Sequence, residues 1–488
     1  MTRTFNWRLV IKTLGALLLI ESFFMAVPTL LALFRHDYDF SAFLISTCIT
    51  FVCGLIGVLR GFRADERVSE REGYVIVALV WVVFSIFGLL PYYLSGSIDS
   101  FTDSFFETMS GFTTTGATIV TDVEQLSHAT LLWRSLTQWL GGMGIIVLSI
   151  AILPMFGLGG MQLYAAEVTG LTYEKVSPKI ADTAKLLWGI YVVLTATESV
   201  LLRLFGMNWF DAVNHALTTI ATGGFSTYNS SVALFSPAIQ YTIAVFMILS
   251  GINFALFIYV LIGKPQRLFQ DEETKWYMSL LGVATLLVST GYFFTHYNYS
   301  LGGAEEAFRK GLFTVAASVT STGFAVDNYM TWYPLLWVVV FILMFSGACA
   351  GSTSGGIKIV RIIIFAKNGF AEFQRRIHPN AVIPVKLNGK PLSQQTIGNV
   401  MAFMVFYVVI VIVTVLIFCA CGIDFDEAIG TTISAIGNVG ISIGHYGPAD
   451  TYAAFPTIAK WVMTFVMLVG RLEIFTVLLL FTRALWRK

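Results

Sequence analysis

The chain has 488 residues, of which 56% are hydrophobic and only 12% are charged, and its formal net charge is +1. A soluble protein normally has about 25% charged residues, so this composition predicts a membrane protein. A net charge near zero, with no basic tract mixed with aromatic residues, excludes a nucleic-acid-binding protein.

Apolar runs of about 20 residues, the length needed to span a bilayer, recur along the chain. Ten are predicted, at 7–34, 41–61, 73–95, 131–156, 184–206, 236–262, 276–296, 333–366, 395–422 and 456–485. The first run is too long for a signal peptide and has no small-residue cleavage site, so we expect it in the mature protein. The fold class predicted is an all-α polytopic membrane protein with ten spans.

The first two spans stand apart from a pattern that the rest of the chain follows. From residue 73 onward, a span, a half-length apolar segment and a second span recur four times. The predicted units are an N-terminal pair of helices at 1–65, then repeats at 66–160, 161–265, 266–390 and 391–488.

The half-length segments align without gaps over eleven residues, at 106–116, 214–224, 313–323 and 430–440. They end in Gly116, Gly224, Gly323 and Gly440, and two residues earlier each has a polar side chain, from Thr114, Thr222, Ser321 and Asn438. Such a segment is too short to cross the bilayer and too apolar for water. It fits a half-membrane helix that turns back through an extended strand, which is tolerated only where it lines a cavity or is buried in protein.

The chemistry of these segments suits a weakly hydrated monovalent cation. A ring of backbone carbonyls can replace the water shell of the ion, glycine tolerates the positive φ that such a turn needs, and the negative end of a half-helix favours a cation. The alternative is an ordinary helix–turn–helix with a glycine C-cap. Four gapless copies favour a pore like that of a K+ channel.

Positive charges predict the orientation, because cytoplasmic loops are rich in Lys and Arg. Clusters follow alternate spans, at 60–71, 175–185, 264–275, 361–390 and 483–488, whereas Arg35, Arg134, Arg203, Arg309, Lys310 and Lys460 lie on the other side. Both termini are therefore expected in the cytoplasm, and all four half-length segments should enter from outside.

The chain resembles, over its whole length, the superfamily of K+ transporters that includes TrkH and TrkG, KtrB, fungal Trk and plant HKT. The stretches TTTGAT (113–118), TGGFST (222–227), STGFAV (321–326) and GNVGISIG (437–444) look like the filter sequences of that family, and the extra N-terminal pair is more similar to TrkH and TrkG. The resemblance implies a K+ filter of Thr113, Thr114, Thr115, Gly116, Ala221, Thr222, Gly223, Gly224, Thr320, Ser321, Thr322, Gly323, Gly437, Asn438, Val439 and Gly440. Within it, K+ would lie at Thr114, Thr115, Thr222, Gly223, Ser321, Thr322, Asn438 and Val439. In plant relatives a serine at the first glycine accompanies Na+ preference, so Gly116 favours K+.

A glycine-rich interruption in the second span of the third repeat resembles the intramembrane loop that gates this family. Its residues are Gly347, Gly351, Ser352, Thr353, Ser354, Gly355 and Gly356. The alternative is close helix packing through small residues.

Arg471 lies near the middle of the last predicted span, where a charge is costly and usually functional. By resemblance it would point into the pore below the filter as an electrostatic barrier. The alternative is an ion pair with Glu198 or Glu473. Glu21 and Glu198 are predicted to be buried carboxyls with a structural or dimer-contact role.

Other functions fit less well. An H+- or Na+-coupled secondary transporter, such as a symporter, usually has two inverted halves and charged residues at the midplane. A membrane enzyme would need clustered acidic residues or histidines, and neither these nor the five cysteines form such a pattern.

The resemblance also implies partners and a location. We expect K+ as substrate with no organic cofactor, a homodimer in the lipid of the bacterial inner membrane, and a cytosolic ring of TrkA type that binds NAD(H) and ATP. The ring would contact the loops 157–183 and 366–392.

Overall fold

A computed structural model describes residues 5–62, 69–144, 180–296, 303–448 and 450–486. The chain is almost entirely helical, with a single short hairpin of two antiparallel strands at Lys386–Leu387 (β1) and Lys390–Pro391 (β2) in the part described. Its long apolar helices make it a multi-pass membrane protein.

The helices up to residue 144 are α1 (Trp7–Arg35), α2 (Phe40–Arg60), α3 (Glu70–Gly88), α4 (Leu90–Ser95), α5 (Phe101–Phe112) and α6 (His128–Trp139). A π-helical turn, Leu140–Gly144, continues α6. The next group is α7 (Ile180–Leu204), α8 (Trp209–Ile220), α9 (Pro237–Ser250), α10 (Phe254–Leu261), α11 (Gln266–Gln270) and α12 (Glu272–His296). The last group is α13 (Ala304–Val319), α14 (Pro334–Met344), α15 (Ile359–Ile377), α16 (Gln394–Ala420), α17 (Phe425–Gly437), α18 (Thr457–Arg471), α19 (Glu473–Leu480) and α20 (Arg483–Trp486).

Four helices, α5, α8, α13 and α17, correspond to the half-length segments and are referred to as the short helices. Three have an acidic residue in the first turn, thirteen residues before the final glycine of the aligned segment: Asp103, Asp211 and Glu427. The third has Lys310 there instead, but it begins earlier and carries Glu305 and Glu306 in its first turn. A carboxylate near the positive N-terminal end of a helix is stabilising. The acidic residues of the third short helix accordingly lie earlier in the sequence, because that helix begins earlier.

The short helices and the helices that follow them pack in cyclic order. Each short helix contacts the helix that follows the previous short helix: α8 contacts α6, α13 contacts α9, α17 contacts α14, and α5 contacts α18. The N-terminal pair packs outside this arrangement, with α1 against α3 and α6. Because α5 contacts α18, the first and last of the four units are neighbours.

Fewer spans than the ten expected are identified among the described residues. Among the described residues, six helices are long and apolar enough to cross a membrane, or eight with two bent pairs included. The expected straight spans at 236–262 and 456–485 are bent by 96° between α9 and α10 and by 118° at the end of α18. The span at 131–156 lies partly outside the described residues, and the full count and the unit boundaries stay predictions.

The bends are located where the backbone leaves helical geometry. Glu473 adopts a left-handed φ of 57°, so α18 ends at Arg471. In the other pair, the chain turns at 251–253, and Asn253 caps α10 through its side chain. The sequence predicted a helix interruption only in the glycine-rich stretch, whereas the structure also has interruptions after α9 and after α18.

Candidate functional site

Each short helix is followed by a turn with the same backbone conformation. Thr114, Thr222, Ser321 and Asn438 have φ of 54°, 54°, 54° and 52°, and the glycines two residues later have φ of 80°, 76°, 77° and 89°. The sequence predicted positive φ at the glycines only. A left-handed conformation costs about 1–2 kcal/mol for a residue with a β-carbon, so surrounding contacts must hold four such residues in place.

Hydrogen bonds to the short helices hold these turns. The amides of Thr115, Gly223, Thr322 and Val439 each donate to a carbonyl five residues earlier, over 2.9 Å in every case. In two of the turns hydroxyls add support, because Thr113 and Thr320 bond back to Met109 and Ala316 over 2.7 Å. The N–H groups are thus directed to the helices.

The four turns, which we call the central segments (113–116, 221–224, 320–323 and 437–440), meet one another. A β-carbon on Gly116 would overlap the carbonyl oxygen of Gly223, and one on Gly224 would overlap that of Thr322. In the same way, a β-carbon on Gly323 would overlap the carbonyl oxygen of Val439, and one on Gly440 would overlap that of Thr115, which closes the ring. The predicted filter residues therefore lie together, and glycine is required at all four positions because of both φ and space.

Side-chain amides cross-link the central segments. Gln138 of α6 donates to the carbonyl of Gly223 over 2.7 Å and accepts from the amide of Phe225 over 3.0 Å. Asn438 donates to the hydroxyl of Thr115 over 3.0 Å and to the carbonyl of Met467 over 2.9 Å. Gln138 was not singled out from the sequence, because α6 has several other polar residues and the partners of Gln138 are 85 and 87 positions away.

The glycine-rich loop between α14 and α15, residues 345–358, lies against the C-terminal ends of the short helices. Thr353 donates its hydroxyl to the carbonyl of Ile220 over 3.0 Å, and the amide of Gly355 donates to the hydroxyl of Ser321 over 2.7 Å. A β-carbon on Gly355 would overlap the carbonyl oxygen of Gly437. The loop thus contacts three of the four central segments or their helices.

A carboxylate links this loop to the start of α15. Glu273, in the first turn of α12, accepts from the amide of Ala350 over 2.7 Å and from that of Val360 over 3.1 Å with one oxygen. Lys358, at φ of 73°, donates its ammonium to the carbonyl of Ser354. Neither residue was identified from the sequence; the partners of Glu273 are backbone groups 77 and 87 positions away.

Arg471 joins the loop to the first part of the chain. Its guanidinium donates to the carbonyl of Thr353 over 2.7 Å, to that of Gly141 over 2.6 Å, and to that of Gly142. It lies at the C-terminal end of α18, where a cation is favourable, and not in the middle of a straight span as predicted.

The acidic residues considered for Arg471 lie elsewhere. Glu473 forms an ion pair with Arg361, the guanidinium of which lies 4.2 Å from the ring centroid of Phe403. Glu198 is fully buried in α7, and Glu21 is fully buried in α1. The predicted alternative of a Glu473–Arg471 ion pair is replaced by hydrogen bonds to carbonyls.

Comparison with known proteins identifies the family. Residues 42–488 match the family described as "TrkH: Cation transport protein". The Trk system potassium uptake protein TrkH of Halomonas elongata is 39% identical over 487 residues, covering 99% of both chains. TrkG of Escherichia coli K12 is 32% identical over 488 residues, again covering 99% of both. The crystal structure of the potassium transporter TrkH from Vibrio parahaemolyticus superposes with a TM-score of 0.88 at 35% identity, covering 99% of this chain and 100% of the other. The chain therefore belongs to the TrkH family of cation transport proteins.

Proposed function

We propose that this member of the TrkH family takes up K+ through a pore formed where the four central segments meet. The observation that carries the proposal is the cyclic approach of Gly116, Gly224, Gly323 and Gly440 to the carbonyl of the next segment. In this reading the four units form an approximately fourfold arrangement of helix, pore segment and helix, and the N-terminal pair lies outside it.

The central segments would act as a selectivity filter. A cation entering a narrow pore must exchange water for oxygen dipoles, which carbonyls of Thr114, Thr115, Thr222, Gly223, Ser321, Thr322, Asn438 and Val439 could supply. The segment amides bond to the short helices, which leaves these carbonyls to face the axis, except that the carbonyl of Gly223 also accepts from Gln138. The four helix C-termini direct their negative ends toward the same region.

The glycine-rich loop and Arg471 would form the gate. The loop contacts the ends of the short helices through Thr353 and Gly355, and Arg471 fixes Thr353 to the turn at Gly141. A fixed positive charge beside the pore would also oppose the passage of cations. Release of the loop and movement of the arginine would then open the pathway.

The setting follows from the family and the distribution of charge. We propose an inner-membrane protein with both termini in the cytoplasm, working as a homodimer with a cytosolic NAD(H)/ATP-binding ring of TrkA type. Of the two loops expected to contact the ring, 366–392 contains the end of α15 and the β1–β2 hairpin. The other, 157–183, lies almost wholly outside the described residues.

An H+- or Na+-coupled carrier is the second candidate. Its support is Glu21, whose carboxylate oxygens are buried and have no hydrogen-bond partner in the described part of the chain. A carboxyl in this position could carry a proton across part of the membrane.

The test is Rb+ uptake into vesicles that hold the purified protein, with Na+ and Li+ as competitors. A K+-selective channel gives uptake that K+ blocks, that Na+ and Li+ do not, and that persists without a gradient of H+ or Na+. Uptake that stops when both gradients are removed favours the coupled carrier. Equal competition by Na+ would contradict a K+ filter.

A further inference from the structure

A fully buried ion pair lies beside the first two central segments. The side chains of Glu107, on α5, and Arg134, on α6, are 0% and 2% exposed, and the guanidinium Nη2 lies 2.9 Å from the carboxylate Oε1. The guanidinium Nε donates to the same oxygen over 2.9 Å. A buried pair is costly to desolvate unless further hydrogen bonds satisfy its remaining atoms.

The remaining atoms of Glu107 bind the chain that follows the first central segment. One carboxylate oxygen accepts from the amide of Ile119 over 2.9 Å. The hydroxyl of Thr118 donates to the carboxylate over 2.9 and 3.0 Å. Glu107 thus fixes the backbone two and three residues beyond Gly116.

Arg134 contacts the chain that follows the second central segment as well as the chain that follows the first. Its Nη1 donates to the carbonyl of Ser226 over 3.3 Å, and its Nη2 donates to the hydroxyl of Thr118 over 3.2 Å. The guanidinium carbon lies 4.2 Å from the ring centroid of Phe225. One turn further along α6, Gln138 holds the carbonyl of Gly223, so one helix positions the second segment at two levels.

The equivalent positions in the other units have weaker, uncharged links. Glu107 lies nine residues before Gly116. Nine residues before Gly224, His215 contacts the hydroxyl of Ser226 over 3.0 Å. Nine residues before Gly440, Thr431 contacts the hydroxyl of Ser442 over 3.4 Å. In the third unit these two positions are Thr314 and Ala325, and alanine has no side-chain group to bond.

The first link is therefore the one with charged partners, and charge-assisted hydrogen bonds are about twice as strong as neutral ones. The Glu107–Arg134 link also joins the chains that follow two different central segments. The links of His215 and Thr431 each join a short helix to the chain that follows its own segment.

We infer that Glu107 and Arg134 are positioning residues that set the separation of the first two central segments and thereby the selectivity for K+. The inference rests on the proposed function. Carbonyls held at a fixed separation fit one ion radius, and segments released from the pair can approach the smaller Na+. The pair acts through the backbone and does not contact the ion.

The test compares Rb+ uptake into vesicles, and its inhibition by Na+, for the full chain and its variants. In Glu107→Gln the carboxylate becomes an amide of the same shape and Arg134 is left unpaired, and we expect the K+/Na+ selectivity ratio to fall at least tenfold. The double variant Glu107→Gln/Arg134→Gln removes the unpaired charge. We expect its thermal stability to recover toward that of the parent while its selectivity stays low.

Two results would overturn the inference. Parental selectivity in the folded double variant would show that the pair only stabilises the protein. An equal loss of selectivity in Thr431→Val, the matched change in the uncharged link, would show that the charged pair has no special role. If the parent itself shows no K+-selective uptake, the proposed function fails; if the parent is selective and the double variant matches it, only this inference fails.

Discussion

The central segments and the breaks in the helices that follow them differ in how regular they are. The four left-handed residues before the glycines share φ values between 52° and 54°. The breaks are all different: a π-helical turn at Leu140–Gly144, a bend of 96° after α9, the loop 345–358 and a bend of 118° after α18. Under the proposed function, four segments that contact the same ion would have to keep one geometry, whereas a gate can be built from a single unlike element. On that proposal, selectivity belongs to the repeated part and control of opening to the unrepeated part.

The largest effect is expected for a side chain at a glycine of the repeated part. Gly116→Ser places a β-carbon against the carbonyl of Gly223 at a φ of 80°. The carbonyl must move, so we expect K+ over Na+ selectivity to fall at least tenfold, about 1.4 kcal/mol. Competition of Na+ with Rb+ uptake measures it.

A matched control for this change is Gly189→Ser, in α7, where a β-carbon would meet nothing. We expect parental selectivity from that variant. An unchanged selectivity ratio in Gly116→Ser would remove Gly116 from the filter and end the distinction between the two regions.

The second effect is expected at the unrepeated part. Arg471→Ala removes the charge and the hydrogen bonds to Thr353, Gly141 and Gly142. We expect the Rb+ flux through the isolated protein to rise about tenfold, with selectivity unchanged, because the barrier falls by about 1.4 kcal/mol. Initial rates of uptake measure it.

Arg471→Lys separates the charge from the hydrogen bonds, because one ammonium cannot reproduce the planar guanidinium fork. A flux near that of the parent would assign the barrier to charge, and a flux near that of Arg471→Ala would assign it to fixation of the loop. A flux that falls or stays level in Arg471→Ala contradicts the gate.

A smaller effect is expected at Glu273. Glu273→Gln weakens the bonds to the amides of Ala350 and Val360, because hydrogen bonds to a charged acceptor are stronger than neutral ones. We expect the flux to rise about two- to fivefold, about 0.4–1 kcal/mol. Glu272→Gln, which removes the neighbouring carboxylate from its ion pair with Lys367, is the control. The same rise in both variants would mean that general loosening of α12 is responsible.

The smallest effect is expected at a partly exposed ion pair of the third unit. Burial alone would raise the pKa of Asp327, but the hydrogen bond and the charge of Lys310 lower it below the ordinary value of 3.8. The stabilisation is present at neutral pH and is lost as the pH falls through the lowered pKa. For a pair this exposed it amounts to about 0–1 kcal/mol.

Thermal unfolding of the parent and of Asp327→Asn between neutral and acidic pH tests this. The difference in melting temperature should shrink as the pH falls below 3.8. A difference that is constant with pH would show that the carboxylate charge of Asp327 contributes nothing to stability.

The sequence predicted the features that depend on local pattern. Glycine at four aligned positions predicted positive φ there, the apolar runs predicted a membrane protein, and the resemblance of the four filter sequences predicted the family now identified. The left-handed conformation of Thr114 was missed, because threonine has no intrinsic preference for it and the contacts that impose it are tertiary. Arg134 was counted only as an outer cation, although the structure buries it beside Glu107.

A helix break was predicted only in the stretch with the most glycines, and the other three breaks, including the turn Leu140–Gly144, were missed. The loop 345–358 has several glycines, whereas the bend after Arg471 depends on one residue, Glu473, in a left-handed conformation. Glutamate gives no local signal for such a turn. Links between distant residues, such as Gln138 to Gly223, are likewise invisible to patterns within one segment.

Closure of the ring has a consequence for biogenesis. The contact between Gly440 and Thr115, and the hydrogen bond of Asn438 to Thr115 across 323 positions, join the first segment made by the ribosome to the last. Until the final unit has entered the bilayer, the first segment lacks one neighbour. A chain truncated before residue 430 would lack the contacts that close the ring, and under the proposed function it would insert without an assembled ion pathway.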